Sequence, residues 1–285
     1  MRILRLELKR AFGSREMKIS LLLGMLLVIG QVIGFYTMHL GNEALDQQWK
    51  LEDGTYEVGV LRDTLYQSFI GGEGFTFFNE LYFSLLPILA AFPFAGSFFK
   101  DRESGYMKNL CCRMDRTRYH LAKYAAVFLS GGVAAGFPYL VGFAVSALIY
   151  PADFPNFLAM KGETNELSLF ADYYFTHPLA YVMLYLLVIV AFAGVLATFS
   201  LLVSFWAKNI LVVWFVPYML YTTQRLLFEK LDIYQWAMEY MMNSQSKHNL
   251  LVDMTVGRLA IAFLIMIAIT FGGFLVLGRK REVIV

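Results

Sequence analysis

The residues able to do chemistry are few and poorly grouped. His39, His120, His177 and His248 fall in different segments, without an H-E-x-x-H pair or a partner one helical turn away, so their spacing offers no zinc site. No G-x-x-x-x-G-K-[ST] phosphate loop is present, and Gly71-Gly72-Glu73-Gly74 lacks the lysine that would grip phosphates. A serine nucleophile elbow is absent as well. Cys111 and Cys112 are adjacent on a segment read below as cytoplasmic, where thiols stay reduced, so a packed or exposed thiol pair is expected and not a disulfide. The sequence therefore names no catalytic residue and no metal ligand, and the chain is expected to be no enzyme and to hold no cofactor itself.

What the sequence does concentrate is charge. Lys100–Lys123 reads KDRESGYMKNLCCRMDRTRYHLAK, with seven basic residues, three acidic ones and no proline, long enough for a short helix. One reading makes this a plain basic flank of a membrane span. The other makes it a docking element, and the interleaving of both signs over a helix-length segment favours docking.

Membrane helices must position that segment. The chain has 285 residues, 58% hydrophobic and only 16% charged, against about 25% charged in soluble proteins. Six windows lack Asp, Glu, Lys and Arg: Ile19–Asn42, Leu81–Phe99, Tyr124–Ala152, Tyr173–Ala207, Asn209–Gln224 and Leu259–Gly278. A hydrocarbon core about 30 Å thick needs roughly 20 helical residues, so six membrane helices are expected over about 19–40, 81–99, 121–149, 179–206, 210–228 and 256–278. The fifth window is short and reaches span length only if Leu226, Leu227 and Phe228 continue the helix while Arg225 snorkels to the headgroups. Barrel strands would alternate apolar and polar residues, and these runs do not. The fold expected is an all-α integral membrane protein, a single domain over 1–285.

Basic residues set the orientation. The segments 1–18 and 100–123, Lys208 and the tail 279–281 hold 17 of the 24 Lys and Arg residues and all lie on one side of the proposed spans. The positive-inside rule makes that side cytoplasmic, with both termini inside and the loops 41–80, 150–178 and 229–255 outside. Ile19–Gly34 is too long for a signal-peptide core and is read as a retained anchor. Within 1–18, Leu4, Leu8, Ala11 and Phe12 share one helical face and Arg2, Arg5 and Lys9 another, which predicts an amphipathic interfacial helix. The loop 226–255 mixes Met and aromatics with charges and reads equally as an interface belt or an amphipathic helix at the outer leaflet.

No ionisable residue falls mid-span, which argues against ion coupling through a midplane acid; Gln31 is the notable polar residue there and reads first as interhelical glue. Gly30 with Gly34 and Gly132 with Gly136 form G-x-x-x-G pairs, suited to close helix contact inside the chain or between copies. Pro87, Pro93, Pro138 and Pro217 fall inside spans and are expected to kink them.

Six spans, cytoplasmic ends, a basic leading helix and the run Phe99–Leu110 followed by Arg116–Lys123 together resemble the type 2 ATP-binding-cassette exporter permeases. In that family an acidic residue precedes a glycine and a short apolar run, then a turn with a basic residue, an aromatic and a lysine opening the third span; Glu103, Gly105, Arg116 and Lys123 take those positions. Met114-Asp115 stands where the family more often has a proline. The resemblance implies an elbow helix over 1–18 and a coupling helix in the cytoplasmic segment 100–120, docking through Arg102, Glu103, Gly105, Lys108, Arg113, Arg116 and Arg118. It implies a second small contact at Lys208 and Asn209, and a helix interface or path near Gly30, Gln31, Gly34, Gly132 and Gly136. Partners implied are a separate ATP-binding subunit in two copies, carrying ATP and magnesium, a second permease copy or a related one, and the lipid bilayer of a bacterial cell membrane; no nucleic acid is expected. The function implied is export of a hydrophobic or amphipathic peptide, lipid or drug. The alternatives are a stand-alone binding or immunity protein and a secondary carrier.

Overall fold

The computed structural model describes residues 2–48, 64–72, 77–112, 115–154, 168–243 and 254–280. Among the described residues every regular element is helical. In chain order they are α1 (Arg2–Phe12), α2 (Arg15–Gln48), α3 (Leu65–Ser68), α4 (Phe77–Ala91), α5 (Ser97–Glu103), α6 (Tyr106–Cys111), α7 (Arg116–Ser146), α8 (Ala171–Thr176), α9 (Pro178–Val203) and α10 (Ile210–Lys230). A 3-10 turn (Tyr234–Trp236) leads into α11 (Met238–Met242), and α12 (Val256–Ile267) runs through a π-helical turn (Ala268–Gly272) into α13 (Gly273–Lys280).

Five of these stretches are long and apolar enough to cross a bilayer: Arg15–Thr37, Arg116–Ser146, Pro178–Val203, Ile210–Lys230 and Val256–Gly278. The fifth expected span is a full helix of 21 residues. The second expected span, 81–99, differs from its forecast. It divides into α4, 15 residues or about 22 Å at 1.5 Å per residue, then a turn through Phe92–Gly96, then α5. Pro93 sits in that turn and lacks the N–H that would bond the Leu89 carbonyl.

Hydroxyl groups from neighbouring helices occupy the carbonyls that the prolines vacate. Pro93 leaves Leu89 O without its helical donor, and Ser20 Oγ of α2 donates to it at 2.7 Å. Pro87 leaves Phe83 O, and Tyr221 of α10 donates its hydroxyl there at 3.0 Å. Near Pro138 the Tyr82 hydroxyl donates to Ala135 O. The carbonyls left by Pro87 and Pro93 are thereby satisfied across an interface, as an interior without water demands, and each of the three hydroxyl bonds fixes the register of α4 against a partner. The π turn is held in kind: Thr270 Oγ1 bonds Met266 O at 2.9 Å and lies 2.9 Å from Tyr124 Oη of α7.

α7 and α9 are the central pair, packed on each other along their length, and α10 and α12 are the most peripheral spans. Glycine makes the close approach possible: a Cβ on Gly132 would stand 2.6 Å from Val190 O, and one on Gly194 2.7 Å from Phe128 O. The core around this pair is rich in tyrosine and phenylalanine, including Tyr82, Tyr139, Tyr181, Tyr185, Phe192 and Phe274.

The segment after α10, expected equally as an interface-belt loop or an amphipathic helix at the outer leaflet, folds back into the bundle. Ile233 N donates to Phe228 O and Asp232 N to Glu229 O, a Schellman closure with Asp232 at φ 59, which reverses the chain. Gln224 then receives the returning strand of chain: Nε2 donates to Trp236 O at 2.9 Å and Oε1 accepts from Met238 N at 3.2 Å. Ala237, Met241 and Met242 become core residues. The Met and aromatic content of this loop therefore serves packing.

Candidate functional site

The polar residues gather at one end of the bundle, around α1, α5, α6, the start of α7 and the α9–α10 turn. α1 buries Glu7 and Ala11 and exposes Arg5, Leu6 and Lys9. Glu7 lies on the stripe of Leu4, Leu8 and Ala11, so packing that stripe against the bundle carries a carboxylate inside.

Its partner is Lys123, eight residues into α7 and 0% exposed. Lys123 Nζ donates to Glu7 Oε2 and to Asp101 Oδ2, each at 2.6 Å. Arg10 closes the set from the rim, with Nη2 to Asp101 Oδ1 at 2.8 Å and Nη1 to Glu7 Oε1 at 3.0 Å. Tyr119 donates its hydroxyl to Asp101 Oδ2 at 2.9 Å. The rings of Phe94 and Tyr119 face the ammonium at 4.9 and 5.5 Å. Two cations and two carboxylates leave no net charge, which is the condition for burying them. Burial alone would raise the Asp101 carboxyl, but the hydrogen bonds and charges of Arg10 and Lys123 outweigh it and hold the group below its ordinary range. The network ties three helices distant in sequence, α1, α5 and α7, into one block.

Arg102 fastens that block to the next turn. Its guanidinium donates to the carbonyls of Ser204 at 2.5 Å, Phe205 at 2.9 Å and Ala207 at 3.0 Å, in the turn just past the end of α9. A residue expected to face a partner is instead committed within the chain, and it brings the two expected docking segments together. Asn209 is likewise structural: its side chain caps α10 by accepting from Leu211 N at 3.0 Å. Lys208 and Trp206 beside it are exposed.

The stretch expected as one coupling helix over 102–118 is divided. Gly105, at φ +70, breaks α5 from α6, in a conformation an L side chain adopts only with strain. α6 itself is six residues and includes Lys108; Arg113 lies outside the described residues. Glu103 ends α5 exposed, and Arg116 and Arg118 open α7 exposed, behind the Asp115 cap that accepts from Thr117 N at 3.2 Å. Glu103, Arg116 and Arg118 are thus exposed at this end, while Asp101 and Lys123 are buried and Arg102 half-buried.

The glycine pairs pack inside the chain. Cβ atoms on Gly30 and Gly34 would meet Phe78 of α4 at 2.4 and 3.7 Å, and on Gly132 and Gly136 would meet Val190 of α9 at 2.6 and 2.4 Å. Gln31, beside Gly30 in α2, is buried. At the opposite end Arg225, expected to reach the headgroups, bonds Glu239 Oε1 of α11 at 2.9 Å. Burial pushes the Glu239 carboxyl up despite Arg225. Among the described residues no group of three or more His, Cys, Asp or Glu is arranged to hold a metal ion.

No family model matches the chain, and neither a characterised protein nor a solved structure matches it.

Proposed function

We propose that the chain is the membrane-spanning subunit of an ATP-driven exporter of the type 2 ATP-binding-cassette kind, with ATP and magnesium handled by a separate ATPase. In this reading α4 and the turn after it, as far as Phe99, make the second of six spans, α1 is the interfacial elbow, and the end bearing α1, the charged residues 100–103 of α5, and α6 is cytoplasmic. The observation that supports it best is the mechanical continuity of that end. The exposed charges of Glu103, Arg116 and Arg118 sit on a block that Lys123 and Arg102 pin to the two central helices, α7 and α9. A force delivered by a partner on this face passes into the bundle without a loose joint. Two copies would line a path between them, and the apolar outer faces suit a hydrophobic or amphipathic cargo. The chain itself would do no bond chemistry; it would convert closure of the ATPase pair into helix movement.

The test is capture of tagged chain from membranes, comparing wild type with Glu103→Arg and Arg116→Glu. An ATP-hydrolysing subunit should accompany wild type and be depleted at least tenfold in both variants at equal expression. Retention in both refutes the docking face.

A secondary carrier is the rival, favoured by Glu239, which is buried with Oε2 lacking a hydrogen-bond partner among the described residues. Ion-driven uptake in vesicles without ATP, abolished by Glu239→Gln, would select it.

A further inference from the structure

Beside the charge network lies a cavity of about 250 Å³, open on one side, formed where α4 breaks at Phe92–Gly96. Its wall includes Arg10, Glu16, Phe92, Ser97, Lys100 and Trp214. Its depth in the bundle is informative: Glu16 opens the α2 span, Phe92 follows the last turn of α4, and Trp214 lies in the second turn of α10. The cavity therefore sits at the level where three apolar helices meet water, the zone of lipid headgroups. The exposed Ile19 and Leu22 of α2 and Leu211 and Phe215 of α10 continue along the same helices as apolar surface.

The lining holds both signs and two idle donors. Lys100 Nζ and Glu16 Oε1 pair at 2.7 Å across a half-exposed position. Ser97 is 8% exposed, yet its Oγ has no hydrogen-bond partner, and neither has Trp214 Nε1, among the described residues. A buried hydroxyl or indole N–H without an acceptor is costly, so donors left in this state beside a cavity point to an acceptor-rich occupant. Charge narrows its class. Each charge in the lining is already paired, Lys100 with Glu16 and Arg10 with Glu7 and Asp101, so an occupant carrying one charge of each sign can exchange with these pairs without leaving a charge over. The volume falls just below the roughly 300–1,000 Å³ of small-molecule pockets, a fit for a headgroup and not for a whole lipid.

We propose that this cavity binds the headgroup of a zwitterionic aminophospholipid, phosphatidylethanolamine. The phosphate takes Lys100, the rim of Arg10 and the Ser97 hydroxyl; the ammonium takes Glu16 and the rings of Phe92 and Trp214, whose centroids lie 4.8 Å apart at a tilt of 52°. The Lys100–Glu16 bridge opens, each member keeping an opposite charge. This site does not depend on the chain being a transporter subunit.

Native mass spectrometry of the full chain in detergent, titrated with phosphatidylethanolamine, phosphatidylglycerol and phosphatidylcholine, reads the site directly. Wild type should retain phosphatidylethanolamine at least threefold over the other two, and Lys100→Gln should erase that preference while Lys18→Gln keeps it. Glu16→Gln should reverse the order in favour of phosphatidylglycerol, a gain that misfolding cannot mimic. Unchanged lipid order in Lys100→Gln and Glu16→Gln overturns the proposal. Equal occupancy by soluble glycerophosphoethanolamine, competing lipid away, would overturn the lipid source and leave a soluble phosphate ester as the ligand.

Discussion

Replacing Lys123 by Met tests whether the buried network holds the charged end together. Methionine keeps the length and apolar stem of the side chain, so packing changes little and the charge is what disappears. Wild type buries two carboxylates against two cations; the variant leaves Glu7 and Asp101 against Arg10 alone, with Arg10 already half in solvent. Removing one partner of a buried ion pair costs about 3–5 kcal/mol, because the remaining charge stays desolvated. At roughly 2 °C per kcal/mol for a chain of this size, the melting temperature in detergent should fall by about 6–10 °C. The second arm is Lys123→Met with Glu7→Gln, which restores neutrality while keeping a hydrogen-bonding group on α1. It should recover at least about 1 kcal/mol relative to the additive expectation, the coupling typical of one network. The assay is thermal unfolding followed by tryptophan fluorescence, at a fixed scan rate for all variants. A Lys123→Met variant within about 1 °C of wild type, against the 2 °C per kcal/mol scale, would refute the reasoning. So would a double variant less stable than the sum of the singles.

Three further outcomes follow from the geometry. Ser20→Ala should destabilise by about 1 kcal/mol in wild type and by much less in a Pro93→Ala background, because alanine at 93 supplies the N–H that Leu89 O lacks; equal costs in both backgrounds would contradict the carbonyl argument. Gly132→Val should cost at least about 1–3 kcal/mol by driving a side chain into Val190 O of α9, whereas Gly34→Ala, with its nearest contact at 3.7 Å, should be neutral or stabilising when unfolding is measured side by side. The two ends should respond to pH in opposite senses. Asp101 is held below its ordinary value of 3.8, so its contribution is present above that value and is lost as pH falls through the lower folded value. Glu239 is pushed above its ordinary 4.5, so its contribution is full below 4.5 and is lost as pH rises through the folded value. Hydrogen exchange should show α5 loosening in acid and α11 tightening, and Glu239→Gln should gain stability over wild type near neutral pH but not in acid.

Much of the bundle was legible because a bilayer imposes a length and a charge rule. The gaps between charged residues found all five long apolar helices, including the short fifth window, since Leu226–Phe228 do continue α10. The break in the second was visible as Pro93, but a count of uncharged residues cannot tell a kink within a span from a span that stops. Glu7 carried a signal that was not read: a carboxylate on the apolar stripe of Leu4, Leu8 and Ala11 implies a buried cation elsewhere, and Lys123, in the first turns of a long apolar helix, answers it. Arg102 had no such signal, because its partners are backbone carbonyls, which no side-chain pattern announces. The inward fold of 234–243 rests on one αL residue, Asp232, and on Gln224, and neither distinguishes a returning hairpin from a surface loop in sequence alone.

An ATPase can dock on the charged end only if that end faces the cytoplasm. Cys112 is exposed just after α6, and Cys111→Ser leaves it as the single thiol. A membrane-impermeant maleimide should label Cys112 in inside-out vesicles and leave it unlabelled in intact cells or right-side-out vesicles. Labelling from the outer side, with the inner side silent, would contradict the orientation and the docking surface built on it.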